Sequence, residues 1–146
     1  MSILVDTNVL LRLVQPKHRQ YPAAIDSITR ARFAGETLYV TPQNLAEFWA
    51  VATRPAGATN GLGLTAAVAA AEVNTIERLF QLAADDPAVY PIWKGLVVTH
   101  QVLGAQVHDA RLVAAMLAHG IDCILTFNVG DFSRYGIAVL HPTAMP

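Results

Sequence analysis

The sequence predicts an α/β domain built around a mostly parallel sheet, and three observations predict it. Short apolar runs alternate with helix-length segments, the pattern of βαβ units. Helix starts and stops carry capping residues: Thr41-Pro42 and Thr65 at starts, Gly104 and Gly120 at ends. The first apolar run, Ile3-Leu4-Val5, ends in Asp6 and turns at once into a second one, Val9-Leu10-Leu11. An acid at that junction stands beyond the carboxyl end of a strand, where parallel α/β proteins place their ligands.

Taken in order, Ile3–Val5 is the first strand candidate, with a helix starting beside Asp6. Leu38–Val40 is the second, and Thr41-Pro42 then opens a helix whose apolar stripe is Leu45, Phe48, Trp49 and Ala52. Arg54–Gly63, with three glycines and one proline, is the longest flexible connection. Thr65 caps an Ala-rich helix running to Leu82. Ala88–Tyr90, tightly bracketed by Pro87 and Pro91, is the third strand candidate. Pro91 opens a helix through Val102, and Val107–His119 forms another. Cys123–Thr126 and Ile137–Leu140 complete five strand candidates.

The 146 residues suffice for one domain, 1–146, with a sizeable core. An apolar fraction of 53% against 14% charged argues for a compact chain rather than a disordered one. Mean hydropathy is +0.38, yet no apolar stretch approaches the ~20 residues that span a bilayer. The apolar surplus therefore belongs to helices and to an oligomer contact. A formal net charge of −1 leaves no overall basic field for a polyanion, which must be met by a local patch or through a metal. Cys123, the only cysteine, reads as a small buried thiol. No secretory signal opens the chain, so a cytoplasmic location is expected.

Helices that follow strands begin at the carboxyl edge of the sheet, which places Glu47, Asp109 and Asp131 at the same edge as Asp6. Each has a plain alternative. Asp6 equally serves as a helix cap, and Asp131, between Gly130 and Phe132, as a turn acid. Glu47 lies on the flank away from its helix's apolar stripe, which by periodicity is solvated. Asp109 shares a stripe with Leu112, Val113, Met116 and Leu117, so it faces the core side and must be paired, protonated or coordinated. The other acids fall on polar helix faces or ends, and Asp122 at the opposite edge. Four gathered carboxylates repel by roughly 4 kcal/mol per close pair at intermediate dielectric; a hard divalent cation, Mg²⁺ or Mn²⁺, resolves this. The five histidines are scattered and offer no rival metal set, and nucleophile-elbow, P-loop and dinucleotide-binding patterns are absent.

Four segments together resemble the successive motifs of PIN-domain nucleases: Val5-Asp6-Thr7-Asn8-Val9-Leu10-Leu11, Thr41-Pro42-Gln43-Asn44-Leu45-Ala46-Glu47, His108-Asp109-Ala110-Arg111-Leu112-Val113-Ala114-Ala115, and Leu125-Thr126-Phe127-Asn128-Val129-Gly130-Asp131-Phe132. Size and layout are similar to VapC-type toxins of bacterial toxin–antitoxin pairs. The resemblance covers nearly the whole chain. It implies a three-layer α/β/α sandwich with a five-stranded parallel sheet and a Mg²⁺- or Mn²⁺-dependent endoribonuclease site. Asp6, Glu47, Asp109 and Asp131 would be its catalytic and metal-binding quartet, supported by Thr7, Asn8, Thr126 and Asn128. One or two ions would bind the scissile phosphate and activate a water, leaving 3′-hydroxyl and 5′-phosphate ends. The resemblance also implies an RNA substrate, a cognate antitoxin and a homodimer. Phe127 departs from the basic or small residue of many relatives, which bears on substrate choice. Arg12 and Arg111, with Lys17, His18, Arg19, Arg54 and Arg134, are candidates for holding RNA phosphates around the acidic centre.

Two other readings stay open: a PIN-type nuclease of RNA processing or structured DNA without an antitoxin, and a catalytically silent PIN-like binding module. Four retained acids argue against the second. A phosphoaspartyl phosphatase would need an acid where Asn8 stands, and a receiver domain an acidic pair before the first strand, which is missing.

Overall fold

A computed structural model describes residues 1–146. Five strands, β1 (Ser2–Val5), β2 (Thr37–Val40), β3 (Gln81–Leu82), β4 (Cys123–Leu125) and β5 (Ala138–Leu140), form one sheet in the order β3-β2-β1-β4-β5. Every pairing is parallel. Seven helices connect them: α1 (Thr7–Leu13), α2 (Tyr21–Phe33), α3 (Pro42–Thr53), α4 (Ala66–Leu79), α5 (Val89–Thr99), α6 (Gln106–His119) and the short α7 (Val129–Phe132).

Side chains of a strand alternate between faces, and β1 shows how this builds three layers. Ile3 and Val5 pack with Val9, Leu10, Ala24, Ile28, Phe48 and Ile76 from α1–α4. Leu4 points the other way, with Ile124, into a second core made by Leu112, Val113 and Met116 of α6 and Val102. A central strand covered on both faces reads as a continuous apolar run rather than an alternating one. Cys123 is buried as expected, and burial pushes its thiol up to about 11, so it is unreactive at neutral pH.

The third strand is not Ala88–Tyr90. Ala88 is the N-cap of α5, and the Asp86 side chain accepts its N–H at 2.8 Å. Pro91 falls in the first turn of α5, where a missing N–H costs nothing. The true β3 is the two-residue edge segment Gln81–Leu82, paired with Tyr39 and Val40. It lies at the end of the stretch that reads as one helix from Thr65; Phe80, extended at φ −125° and ψ 149°, breaks that helix after Leu79. Two residues are too few to show a strand's period.

At the far end of α6, Gly120 adopts φ +64° and closes the helix in the left-handed region. A Cβ there meets no neighbour, so only backbone strain is added by Gly120→Ala. The expected cost is about 1 kcal/mol, read as a lowered urea midpoint with an unchanged slope.

The chain runs from β1 outward through β2 to β3, then returns across β1 to β4 and β5. The order reverses between β1 and β4. This switch point opens a crevice at the carboxyl ends of those strands, and the residues immediately after them are Asp6 and Thr126.

Candidate active site

Asp6 caps α1 and is nearly buried, 7% exposed. Its Oδ1 accepts the Thr7 N–H at 2.7 Å, and its Oδ2 accepts the Thr126 hydroxyl at 2.7 Å across the switch point. The helix cap and the candidate site residue are therefore the same carboxylate. Burial raises its carboxyl to about 6 against these two hydrogen bonds, with Glu47 and Asp131 adding repulsion.

Thr126 is fully buried, and its hydroxyl also accepts from Asn8 Nδ2 at 3.1 Å and from the Asn128 N–H at 3.0 Å. Asn8 Oδ1 accepts the Phe127 N–H at 3.2 Å, locking the β4–α7 turn to α1. Of the four residues expected to support the acids, Thr7, Asn8 and Thr126 make these bonds through side chains. Asn128 contributes its backbone, and its exposed side chain caps nothing.

Glu47 is not on a solvated flank. It is half-buried; Thr7 Oγ1 donates to its Oε2 at 2.8 Å and Gln43 Nε2 to its Oε1 at 2.7 Å. Periodicity along α3 misplaces it because Thr7, from α1, covers that flank and bonds its carboxylate. Two neighbours that sequence reading left unremarked hold it. Asn44 is fully buried: its Oδ1 accepts the Thr41 N–H at 2.9 Å, and its Nδ2 donates to Thr7 Oγ1 at 3.1 Å. Gln43 donates to the His108 carbonyl at 2.8 Å and accepts from Arg111 Nη1 at 3.1 Å, tying α3 to the start of α6. A polar residue three after a Thr N-cap marks a capping box, and this was the available signal for Asn44.

Asp109, in the first turn of α6, is half-buried as its stripe implies. Its carboxyl is pushed up to about 7, first by burial and then by Asp6, Asp131 and Glu47, with Arg134 opposing. Asp131 is exposed in the first turn of α7. All four acids thus feel one another at one edge. None is in an ion pair, since the three salt bridges join Met1 to Glu36, Arg30 to Asp26 and Arg111 to Asp85. No three acidic or imidazole groups stand close enough to hold an ion as they are. The chemistry of the donor set nevertheless fits one: hard carboxylate oxygens, partly desolvated, mutually repelling and unneutralised.

The candidate phosphate-holding arginines divide. Arg12 donates to Gln20 at 3.0 Å and to Gln15 at 2.7 Å, and is in no ion pair with the acids. Arg111 borders the site through Gln43 and reaches Asp85 at 3.5 Å. Arg134 bonds Gln106 at 2.8 Å. Removing the shared hydroxyl should show how tightly the constellation depends on it: Thr126→Val is expected to lower activity roughly tenfold to a hundredfold while costing about 1–3 kcal/mol of stability. Initial-rate assays and urea unfolding read the two effects.

Fold and site together define a parallel α/β protein with an acidic cleft at its switch point. The PIN domain family profile matches residues 3–138. The chain belongs to the PIN domain family. No curated protein sequence matches it significantly. Among solved structures it is similar to VapBC2 of Rickettsia felis bound to a promoter DNA fragment, with TM-score 0.69, 10% identity, and 97% and 98% of the two chains covered. It is also similar to VapC20 of Mycobacterium tuberculosis, a sarcin-ricin loop cleaving toxin, with TM-score 0.66, 21% identity, and 93% and 96% covered. FitAcB of Neisseria gonorrhoeae matches with TM-score 0.68, 19% identity, and 97% and 98% covered. At these identities the likeness is one of fold. No helix is long and apolar enough to cross a membrane.

Proposed function

We propose that the chain is a divalent-cation-dependent endoribonuclease acting as the toxin of a toxin–antitoxin pair. The observation that carries this reading is the gathering of Asp6, Glu47, Asp109 and Asp131 near the switch point with none of them in an ion pair. These four residues would hold Mg²⁺ or Mn²⁺. A bound ion supplies positive charge for the scissile phosphate and acidity for an attacking water.

The chain's own groups divide the remaining work. Thr126 and the Thr7 N–H hold the Asp6 carboxylate by both oxygens, so it faces the cleft in one orientation. Thr7 and Gln43 do the same for Glu47. Asp109, in the first turn of α6, would complete the ligand set, giving up its proton as an ion binds. Arg111 supplies a cation at the rim for an RNA phosphate.

The antitoxin rests on likeness to a toxin–antitoxin complex, and the homodimer on apolar side chains left in water, among them Phe33, Leu103 and Val98 at 96%, 78% and 70% exposure. The test is incubation of end-labelled RNA with the purified chain. Cleavage giving 3′-hydroxyl and 5′-phosphate ends with Mg²⁺ or Mn²⁺, and none in EDTA, is expected. Expression should arrest growth unless a small neighbouring protein is co-expressed. Harmless expression of an active enzyme would reassign it to RNA processing, and undiminished cleavage in EDTA would sink the mechanism.

A further inference from the structure

A cavity of about 330 Å³ opens between the β3–α5 turn, α5 and α6. Tyr90 and Trp93, one turn apart on α5, form its aromatic wall with ring centroids 6.1 Å apart and planes inclined by 32°. The indole N–H donates to the Val107 carbonyl at 2.9 Å, which pins the Trp93 ring to the start of α6, two residues before Asp109. Tyr90 is 64% exposed, so its ring face is free.

The cavity is wired to the acids. Arg111 lines it and donates to Gln43, which donates in turn to Glu47. Asp85 and Asp86 form its lip. Asp86 Oδ1 is committed to the α5 N-terminus. Asp85 is 70% exposed, and its one partner is Arg111 Nη2 at a long 3.5 Å. The cavity therefore offers a stacking face, a nearly free carboxylate and a cation, one hydrogen-bond relay away from the proposed metal ligands.

We infer that this cavity is a nucleobase subsite for the RNA substrate, selective for guanine; the inference rests on the nuclease reading of the acidic cleft. Unpaired bases stack on aromatic side chains and are read along their exposed edges. A carboxylate takes two parallel N–H donors best. Guanine alone of the four RNA bases presents two side by side, its ring N1–H and exocyclic amine; adenine and cytosine offer one amine and uracil one imide N–H. Arg111, between base and cleft, would hold the intervening phosphate.

The test uses Trp93 fluorescence in a Trp49→Phe background, since the chain has two tryptophans. Guanosine 5′-monophosphate should quench saturably in metal-free buffer, with uridine 5′-monophosphate roughly tenfold weaker. Tyr90→Ala should lose roughly tenfold in guanosine affinity and Tyr90→Phe should retain it. Asp85→Asn should level the two nucleotides. Equal quenching by both in the parent, or unchanged quenching in Tyr90→Ala, overturns the inference. With a randomised RNA, Tyr90→Ala should raise KM and lose guanosine preference beside the cleaved bond. Cleavage with KM and preference intact in that variant removes the subsite and leaves the nuclease reading standing. Guanosine-specific quenching without any RNA cleavage does the reverse. If Tyr90→Ala alters only the sedimentation behaviour, the face belongs to a second copy of the chain and the inference fails.

Discussion

Asp109→Asn is expected to lower metal-dependent RNA cleavage by roughly a hundredfold or more, because replacing even the partners that orient metal ligands costs about ten- to a hundredfold. The same variant should unfold at a higher temperature than the parent in EDTA at pH 8. Asp109 carries no ion pair and is repelled by Asp6, Asp131 and Glu47; the neutral amide removes that repulsion at little change in volume. Loss of function with gain of stability separates a site built for a cation from a structural carboxylate, whose removal destabilises. Scanning calorimetry and an RNA cleavage assay on the two proteins suffice. A variant that is fully active, or that is less stable without metal, contradicts the reading.

The metal-free protein should be more stable at pH 5 than at pH 8. Asp6 and Asp109 keep their protons up to about 6 and about 7 in the fold, above the ordinary value of 3.8. Between those limits the native chain binds more protons than the unfolded one, so stability falls as pH rises through the window. Over the whole window the buried Asp6 accounts for roughly 3 kcal/mol, of which roughly half falls between pH 5 and pH 8. The half-exposed Asp109 adds less than its displacement suggests, since water screens it. Asp122, held low by hydrogen bonds from Ser2, acts only below this window. His18, lowered by burial and then by Arg12 and Arg19, opposes the trend weakly from the surface. Urea midpoints in EDTA should drop from pH 5 to pH 8, and saturating Mn²⁺ should recover the loss at pH 8 while changing little at pH 5. Equal midpoints at both pH values would refute it.

Legibility in the sequence followed what each residue's neighbours make visible. Asp6 was readable because an acid directly after a three-residue apolar run can only stand at a strand's end. Asp109 was readable because a carboxylate in an apolar helical stripe demands a reason. Glu47 is legible through its place on the helix that follows the second strand and through the family motif, and not through periodicity, which does not register the bonds from Thr7 and Gln43. Gln43 and Asn44 passed unnoticed since their bonds to Arg111 and Thr7 span 68 and 37 residues. Four of the sheet's five strands and the parallel sense are legible; β3 is not, because an edge pair of two exposed residues carries neither burial nor alternation.

The most direct test is calorimetric titration of the metal-free protein with Mn²⁺ at pH 7, repeated in two buffers of different ionisation heat. Saturable binding accompanied by proton release is expected, because an ion entering the cleft must displace protons held by Asp109 and Asp6. Asp109→Asn should weaken binding and lose most of the released proton. Absence of saturable binding, or binding that releases no proton and is indifferent to Asp109→Asn, would contradict a four-carboxylate metal site.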